Sequence, residues 1–299
     1  MKKYIYILIA FMSIGASLQA QQFSLYSQYM HNKYALNPAV AGTNDGLLIG
    51  ASYRQMWTGL KDAPSISTLS GHSSINDNMG VGAKIYNIST GPQSQTGFEA
   101  SYAYRFEIND DIKLSLGLSA ILAQYSLDRT KLDMKNTDDA VLNNGAENII
   151  VPDANFGAYL YSEDFYFGLV ASQLVPLNAN FKNDFLENKR ERHYFVHGGY
   201  KYDFSDNFGI EPSILVRFIE AGALQVDLNL KFSVMKTFWI GGSYRLNDAA
   251  VVMLGVKANN IMFGYAYDYT LSEIGNYSNG SHEIILIYKI GGDSEVSLF

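Results

Sequence analysis

The sequence predicts an all-β fold, a transmembrane antiparallel β-barrel of about fourteen strands with a periplasmic or luminal N-terminal segment. Three observations predict it. Apolar and polar residues alternate with period two along most of the chain. Charges inside these runs fall on the face opposite the aromatics. Short connections alternate with longer ones. Composition agrees, since 22 Tyr and 17 Phe against 6 Pro favour strands over helices.

The alternation is readable residue by residue. Phe98, Ala100, Tyr102, Tyr104 and Phe106 share one face, while Glu99, Ser101 and Arg105 share the other. Leu224, Val226, Leu228, Leu230, Phe232 and Val234 alternate with Gln225, Asp227, Asn229, Lys231 and Ser233. Successive side chains of a strand point to opposite faces, so each run has one apolar and one polar face. Both a soluble sandwich and a barrel alternate. Near-uniform hairpins with Tyr at strand ends fit a barrel with an outer apolar band, aromatic girdles and a polar lumen. The charges assigned to the lumen are mixed: Arg54, Lys84, Arg105, Lys113, Arg217, Lys231, Arg245 and Lys257 face Glu99, Asp203, Glu211, Asp227, Asp268 and Glu283. Mixed signs predict ion pairs across an occluded lumen, whereas an ion-selective pore carries a ring of one sign.

The connections predict an orientation. Residues 75–78, 107–111, 162–164 and 205–207 read as tight turns rich in Asn and Asp. Residues 58–63, 89–95, 126–151, 176–190 and 271–280 read as longer loops. Short periplasmic turns facing long external loops is the barrel pattern, and even strand parity puts both ends in the periplasm.

The first residues read as a cleavable secretion signal. Lys2 and Lys3 are positive, residues 4–12 are apolar, and Ala20 precedes Gln21 at a cleavage point, with Ala16 an alternative site. A short membrane anchor is the competing reading. The domain expectation is a signal peptide at 1–20, an N-terminal segment at 21–45 acting as plug or periplasmic lid, a barrel at 46–291 and a tail at 292–299. The chain has no Cys, which removes disulfides and thiolate metal sites. Its net charge of −7 disfavours nucleic acid, which wants a basic stripe.

Chemistry-bearing constellations are weak. His193 and His197 share a strand face, but four residues of strand separate them by about 13 Å, too far for one ion. Ser70 with His72, and Ser281 with Glu283, share faces without a third orienting group. The expectation is therefore a protein with no catalytic residues, no metal and no cofactor. In the loop ending near Arg192, Phe181 and Phe185 lie beside Lys189 and Arg190, a combination suited to docking a partner.

Residues 23–42 do not read as a spanning strand. They run Phe23-Ser24-Leu25-Tyr26-Ser27-Gln28-Tyr29-Met30, then Ala35-Leu36-Asn37-Pro38-Ala39-Val40-Ala41-Gly42. Tyr53-Arg54-Gln55-Met56-Trp57 follows, then Ala63-Pro64, Gly80-Val81-Gly82, Gly91-Pro92 and 152–157. This pattern resembles the PorP/SprF family, outer-membrane proteins associated with the type IX secretion system of Bacteroidetes. Leu25 and Tyr26 interrupt the first motif, and Met56 offsets the Tyr-Arg-Trp motif. The resemblance marks Gln28, Tyr29, Met30, Asn37, Pro38, Ala39, Gly42, Tyr53, Arg54 and Trp57 as family-motif residues. It implies an outer-membrane barrel that helps secrete or attach a partner, such as an adhesin or gliding component, together with other components of the secretion system. The competing class is an outer-membrane channel for small solutes.

Overall fold

The computed structural model describes residues 26–131, 146–176, 191–220, 222 and 224–291. The strands are β1 (Leu47–Gln55), β2 (Ser65–Ser74), β3 (Met79–Thr90), β4 (Gln93–Glu107), β5 (Lys113–Asp128), β6 (Ala146–Tyr161), β7 (Phe165–Ser172), β8 (His193–Tyr200), β9 (Tyr202–Ser205), β10 (Phe208–Ile219), β11 (Gln225–Val234), β12 (Phe238–Arg245), β13 (Ala249–Ala258), β14 (Ile261–Thr270) and β15 (Ser281–Ile290). Only Lys201 separates β8 from β9, and both pair with β10, so they act as one interrupted strand. All pairings are antiparallel between sequence neighbours, and β1 pairs with β15 from Leu47↔Ile290 to Gln55↔His282. That seam closes a barrel of fourteen staves and leaves its wall without an edge, the form in which a sheet can cross lipid. Among the described residues no helix is long and apolar enough to cross a membrane.

The alternation predicted from sequence places apolar residues outside and charges inside. Leu69, Leu118, Leu122 and Val252 are each more than half exposed, whereas Arg54, Glu99, Asp268 and Glu283 are nearly inaccessible. Outward aromatics gather at the strand ends, including Phe106, Tyr202, Phe204 and Phe238 at one rim and Tyr53, Tyr244 and Tyr269 at the other. An apolar band between aromatic girdles is the lipid-facing surface of a barrel.

The connections sort into two ends. One carries the short turns 75–78, 108–112, 162–164, 206–207, 235–237 and 259–260; the other carries the long connections 56–64, 129–145, 173–192 and 271–280 together with the short ones 91–92, 220–224 and 246–248. These are called the turn end and the loop end below. Two expected loops are corrected. Residues 89–95 are a tight hairpin in which Thr90 pairs with Gln93. Gly91 adopts a left-handed φ of 55° and supplies the turn. Residues 126–128 and 146–151 likewise continue the β5–β6 ladder to Asp128↔Ala146. Beyond the lipid both strand faces meet water, so the apolar alternation fades while the ladder continues. Lys113 and Asp203 are also corrected. Their side chains are partly exposed at the turn-end rim, where Lys113 lies 3.7 Å from Glu107 and Asp203 3.3 Å from Lys201, because β5 begins at Lys113 and β9 ends two residues past Asp203.

Candidate functional site

The barrel interior is occupied by the chain's own residues 26–43. Two one-turn 3₁₀ helices, Lys33–Ala35 and Pro38–Val40, interrupt an otherwise irregular path. Local chemistry sets them. The Asn32 side chain accepts from the Ala35 N–H at 3.3 Å, and the Asn37 side chain accepts from the Ala39 N–H at 2.9 Å, with Pro38 holding φ at the first helical position.

At the loop end the segment is gripped by charge. Glu283 on β15 accepts both the Ser27 N–H (2.7 Å) and the Gln28 N–H (3.0 Å). Ser27 Oγ donates to Asp268 on β14 at 2.8 Å and accepts from Arg54 Nη1 at 2.6 Å. Arg54 pairs with Asp268 (2.7 Å) and Glu283 (3.1 Å), and Arg245 pairs with Asp227 (3.1 Å) and Asp268 (3.2 Å). The register explains these partners, because Arg54↔Glu283 and Asp227↔Arg245 stand directly opposite across adjacent strands. Lys84↔Glu99 (2.7 Å) and Glu211↔Lys231 (2.5 Å) repeat the device lower in the lumen. Buried charges demand such partners, since each one left alone costs several kcal/mol (~3–5).

Toward the turn end shape takes over. Asn37 Nδ2 donates to the Ala158 carbonyl at 3.1 Å and meets His197 Nε2 at 3.1 Å. Ala39 is wholly buried against Gly117 on β5, where a Cβ would lie 2.3 Å from the Ala39 nitrogen. A Cβ at Gly157 on β6 would lie 2.0 Å from Asn37 Oδ1. Both positions need glycine because the segment's backbone and amide occupy the space of a side chain. Tyr34 donates to Ser101 at 3.1 Å, Lys84 donates to the Ala35 carbonyl at 2.9 Å, and Arg105 reaches the Gly42 carbonyl. Arg105 also binds the Asn76 and Met79 carbonyls at 2.6 and 3.1 Å, tying the segment's exit to the first short turn.

Midway, His31 stacks on Trp239 with ring centres 4.2 Å apart, and Lys33 lies 4.1 Å from the centre of the Tyr166 ring. A cavity of about 80 Å³ remains beside Met30, His31, Lys33, Tyr34 and Tyr159, room for a handful of waters.

The structure brings Gln28 together with Glu283 on β15, the ion-pair partner of Arg54, and sets Tyr29 in the lumen, where its hydroxyl accepts from Asn229 Nδ2 at 2.8 Å. Met30 joins the same apolar cluster as Tyr29 and Trp239. Asn37, Pro38, Ala39 and Gly42 form the lower half, with the Gly42 N–H donating to His72 Nδ1 at 3.0 Å. Tyr53 and Trp57 do not join them. Tyr53 faces outward, and Trp57 lies in the loop after β1, where its N–H donates to Ser281 Oγ at 3.0 Å. The Ser70–His72 and Ser281–Glu283 pairs are spent on this packing, as Ser70 accepts from Asn32 at 2.9 Å. Phe181, Phe185, Lys189 and Arg190 lie outside the described residues. Sequence reasoning passed over Ser27, Gly117 and Gly157; the signal available for Glu283, Asp268 and Arg245 was their shared inward parity with Arg54. Among the described residues no group of three His, Asp or Glu could hold a metal ion.

The family described as type IX secretion system membrane protein PorP/SprF matches residues 18–288. The chain belongs to the PorP/SprF family. It is thus an outer-membrane barrel of the type IX secretion machinery, and family and fold together point to a secretion or transport component rather than an enzyme. Among curated proteins no relative matches. Solved structures of similar outline include the KdgM porin (11% identity, 82% of this chain and 99% of that one, TM-score 0.42). They also include the CymD monoaromatic hydrocarbon channel (11%, 90% and 94%, TM-score 0.49) and the Pseudomonas putida toluene transporter TodX (9%, 91% and 96%, TM-score 0.49).

Proposed function

We propose that this PorP/SprF barrel is an anchor, holding or helping to secrete a partner protein at the cell surface rather than passing solutes. The observation that supports this reading is the occupied lumen. Residues 26–43 run along its length, bound by reciprocal ion pairs at one end and close backbone packing at the other. A conduit needs an open path, whereas an anchor needs only a stable wall and a presented face.

In this reading the signal peptide of residues 1–20 is removed, the loop end faces outward, and the partner is a secreted surface protein such as an adhesin or gliding component. Other components of the type IX system complete the assembly. The connection after β7 carries the docking residues Phe181, Phe185, Lys189 and Arg190, whose aromatic and basic side chains suit a protein partner. The test is affinity capture of the protein from outer membranes, with and without residues 178–192. Capture of one large secreted protein, lost on deletion while the barrel stays folded, is expected. Retention of that protein after deletion removes the loop assignment. Capture of none, with steady ohmic conductance in a lipid bilayer, favours the small-solute channel instead.

A further inference from the structure

We infer that the chain is threaded through its own barrel, so that its amino-terminal end leaves by the loop-end mouth while its last strand finishes at the turn end. It departs from the expectation that even strand parity puts both ends on one side: that holds for the wall, where β1 starts and β15 finishes at the turn end, but not for the luminal segment ahead of β1.

Two levels fix the polarity. Ser27 is bound by Arg54, one residue short of the loop-end terminus of β1, and by Asp268, two residues short of that of β14. Gly42 lies against Gly80 and Arg105, both within two residues of the turn end of their strands. Between these levels the segment descends past Ser70 and Ser101. Any chain ahead of Tyr26 therefore starts from the loop-end side of the lumen.

It has no route back. The five residues 21–25 span at most about 18 Å when fully extended, while the apolar band of such a barrel is about 25 Å tall. The lumen beneath them is already filled by Tyr29, Tyr34 and Ala39, which are buried. Tyr26 therefore marks the departure of any preceding chain, at the mouth that presents the long loops.

The placement of that mouth outside the cell rests on the function proposed above, and the test separates the two. The chain has no Cys, so single cysteines report cleanly. Gln22→Cys is compared with Lys61→Cys in an exposed loop-end connection and Asp110→Cys in an exposed short turn. Intact cells are treated with a membrane-impermeant maleimide, then permeabilised and treated again. The expected result is labelling of Gln22→Cys together with Lys61→Cys before permeabilisation, and of Asp110→Cys only afterwards. Gln22→Cys labelled together with Asp110→Cys, or shielded until the protein is unfolded, overturns the threading. Labelling of Gln22→Cys and Lys61→Cys together, but only after permeabilisation, supports the threading and reverses the orientation of the barrel instead.

Discussion

The two halves of the luminal segment are held by different physics. Residues 26–28 are gripped by formal charge, with Glu283, Asp268 and Arg54 converging on two backbone N–H groups and one hydroxyl. Residues 37–42 are seated by shape, with glycines on β5 and β6 removed from the way of Asn37 and Ala39. The difference has consequences. A charged grip is lost abruptly when one member is removed, because the survivors remain buried and uncompensated. A shaped seat fails when something is added, because backbone cannot move aside cheaply.

Arg54→Ala is expected to have the largest effect. It leaves Asp268 and Glu283 short of a cation and should cost about 3–5 kcal/mol. Urea unfolding in detergent micelles checks this. A loss under about 1 kcal/mol, the scale of exposed pairs, would show that the cluster is wetter than its burial indicates. Gly117→Val is expected next, at about 1–3 kcal/mol, because its Cβ would overlap the Ala39 nitrogen. Limited proteolysis should then cut within residues 37–43 while leaving the 26–28 grip intact; uniform loss of protection along the segment would erase the distinction between its halves. Asn37→Ala removes the contacts to the Ala158 carbonyl, His197 Nε2 and the Ala39 N–H and should cost about 1–3 kcal/mol.

Much of the wall was legible from sequence. Period two and the inward parity of Arg54, Glu99, Asp227 and Arg245 follow from strand geometry alone, and both carried through to the closed sheet. Cross-strand partners were not legible, since pairing Arg54 with Glu283 requires knowing that β1 meets β15. The strand extensions above the lipid were missed because water on both faces removes the alternation that marks a strand. Nothing beside Gly117 and Gly157 in the sequence marks what approaches them, and only the path of the segment shows it. The family motifs named Gln28 and Asn37 but not their partners, because these come from strands far along the chain.

The central claim is that the segment permanently fills the barrel. The most direct measurement is single-channel recording in planar bilayers on the native protein and on Asn32→Cys/Ser70→Cys, whose oxidised form ties the segment to β2 where the two side chains already lie 2.9 Å apart. The occupied-lumen account predicts no steady ohmic conductance from either protein, oxidised or reduced. A stable open conductance in the native protein that disappears on oxidation of the double variant would show that the segment leaves the lumen, and would contradict it.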